Sequence, residues 1–415
     1  MTDASARLGW PARLYLLHAA LLTASLAIFS LFFNITILAL GFSLDFLGVL
    51  TSTAFAASAL LGAPLLWLLG RLPLRLALIG GALLQCAGVL LLALWPAEAA
   101  LLVASVILGA GAVLFDISAA PFMMQHSDGA TRDRLFSANT GIRIGLAGLG
   151  SLVAGGLPAL AVAWLGQPAR SAPAYQATMV LAAAGILLSI TPLLLLGGAR
   201  VAAARSPGRA LATAEAGPAD VWRALLRQPG PLLRLLASPA LISAGAALLI
   251  PYLNLFFTQR FAVADQTLGL IFAGLGVCTG LATLAAPALA RRMGRLPTIV
   301  LTEALAIPFL LLLGWAPMLG LAVGAALGRA ALFNMGAPLY DAFAMERTPA
   351  AARPTVIALL NGAYGVGYLF GPLISVQIQA RYGFGPIFAI TAACYLVGVW
   401  LKYWFFLRGS GRNSR

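Results

Sequence analysis

The chain has 415 residues, of which 61% are hydrophobic and only 9% charged, whereas soluble proteins carry about 25% charged residues. That balance excludes a soluble globular domain and places the chain in a membrane. A net charge of +14 does not point to nucleic acid, because the basic residues neither cluster on one folded face nor alternate with aromatics.

Twelve apolar stretches long enough to span a bilayer, at roughly 20 residues each, lie near 14 to 40, 46 to 69, 76 to 96, 98 to 124, 136 to 165, 174 to 197, 236 to 259, 266 to 289, 297 to 316, 317 to 343, 355 to 380 and 384 to 407. The first is a full span with no small-residue cleavage site behind it, so it is expected to stay in the mature protein. Basic residues fall in alternate connections. With both termini inside, that side receives Arg7, Arg13, Arg71, Arg75, Arg132, Arg134, the arginines from Arg200 to Arg234, Arg291, Arg292, Arg295, Arg347, Arg353 and the basic C-terminus. Only Arg170, Arg260 and Arg381 fall outside. The positive-inside rule thus predicts a multi-pass protein of the cell's inner (plasma) membrane with both termini cytoplasmic.

In chain order, the first stretch carries His18 near its inner end and Asn34 toward its outer half. His18 reads either as a proton carrier or, from its shallow depth, as an interfacial ring reaching the headgroups. Asn34 is deeper, and an amide in hydrocarbon needs a partner inside the bundle. Asp45 and Gly48 follow, and the second stretch ends at Arg71 and Arg75. The third stretch is bland apart from Gln85. The fourth holds Asp116 about eight residues before its inner end, and the fifth holds Arg143 about seven residues after its inner start. At 1.5 Å per residue both lie roughly 10 Å deep on adjacent antiparallel helices. They are placed to pair, either as a salt bridge fixing the two helices or as a proton-sensitive or substrate-sensing pair. Gly141, Gly145, Gly148, Gly150, Gly155 and Gly156 make the fifth stretch suited to close helix packing.

Apolar character is lost from Gly198 to about Leu235. Arg200 to Pro218 is rich in Ala, Gly, Ser and Arg, as flexible linkers are. Asp220 to Arg227 has the pattern of a short amphipathic helix in the inner interface, capped by Asp220 and ending before Gly230. The expected domains are therefore 1–197, an inner linker over 198–235, and 236–415.

The seventh stretch carries Tyr252 and Asn254, and Asp265, Gly269, Arg291, Arg292, Gly294 and Arg295 follow. Asn254 precedes Asp265 by the same interval that separates Asn34 from Asp45. Leu114-Phe-Asp116 through Pro121 likewise reads like Leu332-Phe-Asn334 through Pro338. Matches about 220 residues apart are the mark of a duplicated bundle. Glu303 lies a third of the way into the ninth stretch and Arg329 close to the middle of the tenth, followed by Asn334, Tyr340 and Asp341; Asn361 and Tyr364 open the eleventh. Arg329 is open to three readings: binding a substrate anion, pairing with Glu303 or Asp341, or bonding helix-end carbonyls. Asp341, near its helix end, is either a coupling group or a solvated cap. Cys86, Cys278 and Cys394 lie in separate stretches with no metal or disulfide spacing and read as small core residues.

The two loops Gly70-Arg71-Leu72-Pro73-Leu74-Arg75 and Arg291-Arg292-Met293-Gly294-Arg295 resemble the short inner loops of the major facilitator superfamily. Gly70 and Arg291 stand where that family places Asp, so neither copy supplies the acidic partner of a loop-to-helix charge lock. Gly367-Tyr-Leu-Phe-Gly371-Pro372 is similar to a fragment of the family's antiporter pattern, which the fifth stretch carries only partly and without its proline. The resemblance implies an all-α membrane protein of twelve helices in two six-helix pseudo-symmetric bundles. It also implies a central cavity lined by helices 1, 4, 7 and 10, where Asn34, Asp116, Tyr252, Asn254, Arg329, Asn334 and Tyr340 fall.

The expected function is secondary active transport by alternating access, as proton-coupled efflux of a small amphipathic organic compound, with carriage of a small organic anion, a sugar or a lipid as alternative. Asn34, Tyr252, Asn254, Arg329, Asn334, Tyr340 and Tyr364 are the candidate substrate contacts. Asp116, Arg143, Glu303 and Asp341 are the candidate proton-coupling groups. Arg71, Arg75, Arg291, Arg292, Gly294 and Arg295 form the conformational loops. No Gly-x-x-x-x-Gly-Lys-Ser/Thr loop occurs, so ATP is not expected to drive transport within this chain. The expected partners are a small substrate, a proton or other ion and the bilayer, without nucleic acid, and the chain is expected to be monomeric. No convergent catalytic set, cofactor motif or metal cluster is visible, so no enzyme activity is expected.

Overall fold

The computed structural model describes residues 8–128, 131–166, 168–196, 229–349 and 352–408, and all regular structure among them is helical. The linker over 198–228, with the amphipathic helix expected at Asp220–Arg227, lies outside the described residues. Among the described residues, twelve helices are long and apolar enough to cross a membrane. They are built from α1 (Trp10–Ala39), α2 (Leu44–Leu69), α3 (Leu74–Leu94), α4 (Glu98–Gln125), α5 (Arg132–Leu165), α6 (Ala172–Leu194), α7 (Pro229–Leu249), α8 (Leu253–Phe261), α9 (Asp265–Met293), α10 (Arg295–Trp315), α11 (Leu319–Asn334), α12 (Gly336–Glu346), α13 (Arg353–Tyr382) and α14 (Gly385–Lys402). The seventh span joins α7 to α8 through a 3₁₀ turn, Ile250–Tyr252, and the tenth joins α11 to α12.

Both breaks sit beside prolines. Pro251 lies inside the 3₁₀ turn and has no N–H to give to the preceding turn. Pro338 falls four residues after Asn334, the last residue of α11, and its ring crowds that carbonyl. Among the described connections the backbone turns left-handed at Gly41, Gly166, Gly294 and Gly383, and also at Arg170 and Ala262. Gly294, at φ 86°, reverses the chain between α9 and α10 and leaves Arg295 as the first residue of the new helix.

The chain divides into two compact units. One holds α1 with the loop to Ser43, the chain from Thr53 to the end of α6, and Val263–Ala273. The other holds Leu44–Ser52, α7 and α8, and the chain from Gly274 to the end of α14. In the first unit α1 packs on α5 and α6, and α3 on α4 and α6. In the second, α7 packs on α13 and α14, and α10 on α11 and α14. Span for span these are the same neighbours, which is what a duplicated bundle leaves. The offset of 218 residues between Asp116 and Asn334 also relates Gln85 to Glu303.

Close approach explains only part of the glycine content of α5. A Cβ on Gly150 would stand 2.4 Å from the Ala24 carbonyl of α1, and one on Gly155 would stand 2.8 Å from the Asp265 carbonyl of α9. Gly141, Gly145 and Gly156 meet nothing within 4 Å, so packing does not require them. The opening of α9 is held further by Tyr175, whose hydroxyl donates to the Asp265 carboxylate at 3.2 Å, and by Arg170, which donates to the Val263 carbonyl at 2.9 Å.

Candidate functional site

Two polar sites occupy helix interiors that composition makes apolar. In the first unit, Arg143 of α5 lies 3.8 Å from Asp116 of α4, with side chains 47% and 61% exposed. The guanidinium also stands 5.7 Å from the centre of the Phe115 ring. Nearby, Tyr15 donates its hydroxyl to Asn139 at 3.3 Å. His18 is fully buried rather than interfacial, because it lies on the face of α1 that meets α4 and α6, whereas its neighbour Leu17 at the same depth is exposed. Its Nδ1 donates to the Ser189 carbonyl at 2.7 Å, its Nε2 has no partner, and its ring tilts against Phe115.

The second unit holds the more buried site. Glu303 of α10 and Lys402 at the end of α14 form an ion pair with Nζ to oxygen distances of 2.5 and 2.7 Å, and their side chains are 5% and 3% exposed. The Lys402 ammonium also sits 4.6 Å from the centre of the Tyr340 ring, and the Tyr340 hydroxyl donates to the Leu235 carbonyl at 2.7 Å. Gly336, first residue of α12, leaves room for the carboxylate: a Cβ there would lie 3.0 Å from Glu303 Oε1. A cavity of about 70 Å³ opens beside the pair, lined by Phe333, Tyr340, Asp341, Asn361, Tyr364 and others. That is room for a few water molecules. One turn before Phe333, Arg329 is buried near Tyr395, and its Nε has no hydrogen-bond partner among the described residues. Among the described residues it forms no ion pair, and Glu303, one of its expected partners, is taken by Lys402.

Asn34 and Asn254 are both buried, and Asn254 accepts from the Leu255 amide at 2.9 Å. Tyr252 is buried and donates to the Pro372 carbonyl. Asn334 donates to Thr279 at 3.2 Å, and Tyr364 remains 38% exposed. The loop arginines divide. Arg71 stacks on Trp67, Arg75 donates to the Leu194 carbonyl, and Arg291 and Arg292 lie in the last turn of α9. Arg295 pairs with Glu346 at the end of α12. The acid absent from the second loop is thus supplied by the neighbouring helix. Lys402 escaped the sequence reading because a cation near a span end looks like one that snorkels to the headgroups. Its one signal was that it is the sole lysine among 26 basic residues.

These features define a multi-pass helical membrane protein with charged groups held inside its bundles, the class to which membrane transporters belong. The sequence profile of the Major Facilitator Superfamily matches residues 15–319 and 235–415, and the chain belongs to that family. Among similar solved structures, the nucleoside transporter NupG has a TM-score of 0.74 at 13% identity over 95% of this chain and 99% of that one. A bacterial homolog of the human lysosomal transporter Spinster has a TM-score of 0.73 at 15% identity over 97% of this chain and 96% of that one. The xylose transporter XylE from E. coli has a TM-score of 0.71 at 16% identity over 95% of each. No curated protein matches in sequence. The family and these neighbours are transporters rather than enzymes.

Proposed function

We propose that the protein is a secondary active carrier that couples proton movement to export of a small amphipathic organic compound by alternating access. The observation that carries this reading is the half-exposed Asp116–Arg143 pair deep within two apolar spans. Ionised groups exposed at that depth require a wet surface inside the membrane, since hydrocarbon would cost several kcal/mol per charge. The carboxylate accepts the coupling proton and Arg143 holds it ionised between turnovers. Residues 1–197 and 236–415 are the two moving bundles, joined by the linker over 198–235, with both termini cytoplasmic in the plasma membrane and the chain acting as a monomer. Asn34, Tyr252, Asn254, Asn334, Tyr340 and Tyr364 supply polar contacts among aliphatic and aromatic side chains, a mixture suited to an amphipathic solute.

The test is reconstitution into liposomes with an imposed pH gradient, screening dyes, sugars and carboxylates. Gradient-driven flux of a dye is expected in the wild type, and D116N should lose its gradient dependence. A gradient response unchanged by D116N removes Asp116 from the mechanism. Arg329 favours a second reading, carriage of an organic anion, because a buried guanidinium without a carboxylate partner among the described residues suits one. In that case R329Q abolishes carboxylate flux, and carboxylate flux that survives R329Q ends the anion reading.

A further inference from the structure

We propose that Glu303, with Lys402 and the cavity beside them, is a second proton-binding site, at which a proton taken by the carboxylate releases the lysine toward Asp341. The inference rests on the reading of the chain as a proton-coupled carrier only for its consequence in transport; the site itself stands on geometry.

Three observations converge. The pair is closed off from the exterior surface, with the side chains 5% and 3% exposed, yet it borders a cavity large enough for water. Asp341 lines the same cavity and gives the ammonium a second carboxylate to go to. Finally, the chain uses arginine at every basic position but this one. A static bridge is better served by arginine, whose planar fork grips a carboxylate through two bonds and never gives up its charge. A lysine carries a compact charge on a flexible stem and can exchange one acceptor for another.

The step balances. A proton from the bulk, relayed through cavity water that is left neutral, adds to a Glu303 carboxylate oxygen, the Nζ–H···O contacts of 2.5 and 2.7 Å break, and the ammonium swings to Asp341 with its charge intact. Charge within the cluster rises by one, and the reverse step returns the proton. The groups that line the cavity with Glu303 are Lys402 from α14, Tyr340 and Asp341 from α12 and Tyr364 from α13, and Tyr395 of α14 feels both Glu303 and Arg329 of α11. None but Asp341 offers a second anion to the lysine near neutral pH.

A chain with one lysine and four glutamates makes the test direct. Protein labelled with 15N at the lysine Nζ and 13C at the glutamate side-chain carboxyls is placed in lipid nanodiscs without substrate and titrated by NMR. The single Nζ signal and one buried carboxyl signal are expected to shift together as pH is lowered, with the carboxyl moving to the position of the neutral acid. D341N should leave the wild-type starting signals in place but change the position that Nζ reaches at low pH, because the released ammonium then finds no second carboxylate. A buried carboxyl that stays ionised across the folded range, or an Nζ shift indifferent to D341N, overturns the proposal.

In vesicles K402R, which keeps the charge, is expected to reduce gradient-driven flux at least tenfold while leaving gradient-free exchange of the same dye within twofold of wild type. Full gradient-driven flux in K402R overturns the site's role in coupling. If the NMR transition is present but the wild type carries no gradient-driven flux of any compound, the proton site holds and the carrier reading fails. The converse leaves the carrier and removes the site.

Discussion

Taking away one member of the Glu303–Lys402 pair does more harm than taking away both. E303Q takes away the carboxylate in contact with the buried ammonium, and breaking a buried pair in this way costs up to about 3–5 kcal/mol, less whatever Asp341 recovers by accepting the lysine. Replacing both residues by neutral ones of similar volume is often nearly neutral. Thermal unfolding in nanodiscs should therefore show E303Q well below wild type and the double variant E303Q/K402M close to it; equal losses in both would mean that the charge is not the issue. Asp116 and Arg143 should behave differently. With both side chains about half exposed, water screens them, and D116N is expected to shift stability by no more than about 1 kcal/mol. The depths of Asp116 and Arg143 were legible because helix rise converts sequence position into distance, so two charges on adjacent antiparallel helices had to lie level. Lys402 was not legible in this way. Its position near a span end fits a lysine that reaches water, and only packing of α14 on α10 turns it inward.

Packing along a helix depends on a few positions and ignores others of the same residue type. Gly155 faces the Asp265 carbonyl and Gly269, so G155V forces α5 and α9 apart at a contact where a Cβ alone would already stand at 2.8 Å. Overpacking of this kind costs about 1–3 kcal/mol. Gly156, one residue on, meets nothing within 4 Å and should accept alanine with little change in unfolding temperature. A comparison of G155V with G156A by thermal unfolding checks the assignment, and similar losses in both would refute it. The spans themselves were legible because hydropathy and length are enough to mark a helix that crosses a bilayer. Their internal breaks were not. Pro338 coincides with the break between α11 and α12, but Pro121, its counterpart in the repeat, lies within an unbroken α4. A proline in hydrocarbon is tolerated wherever neighbours re-satisfy the freed carbonyl, and those neighbours are a matter of tertiary structure.

At the scale of the whole chain, the repeat seen in Asn34 to Asp45 and Asn254 to Asp265 ends, in each copy, on a segment that leaves its own half. The start of α2 groups with the second unit, and the start of α9 with the first. Sequence alone showed that these stretches match; it gave no sign of the exchange, since hydropathy carries no record of which bundle a helix end joins. A fragment ending at residue 197 would lack Val263–Ala273, which the first unit includes. Expressed alone it should be degraded faster than when the remainder of the chain is supplied in trans, as pulse-chase labelling would show. Equal lifetimes would mean that those eleven residues contribute nothing to the unit.

The exchange also sets a timetable for biogenesis. Six helices emerge from the ribosome before any of Val263–Ala273 exists, so the surface around Gly155 waits uncovered through synthesis of the linker and the seventh span. Nascent chains stalled at increasing length should register a late pull on the peptide when this segment enters the bilayer, and lengthening the linker should delay closure of a unit that lies entirely upstream of it except for that one strip.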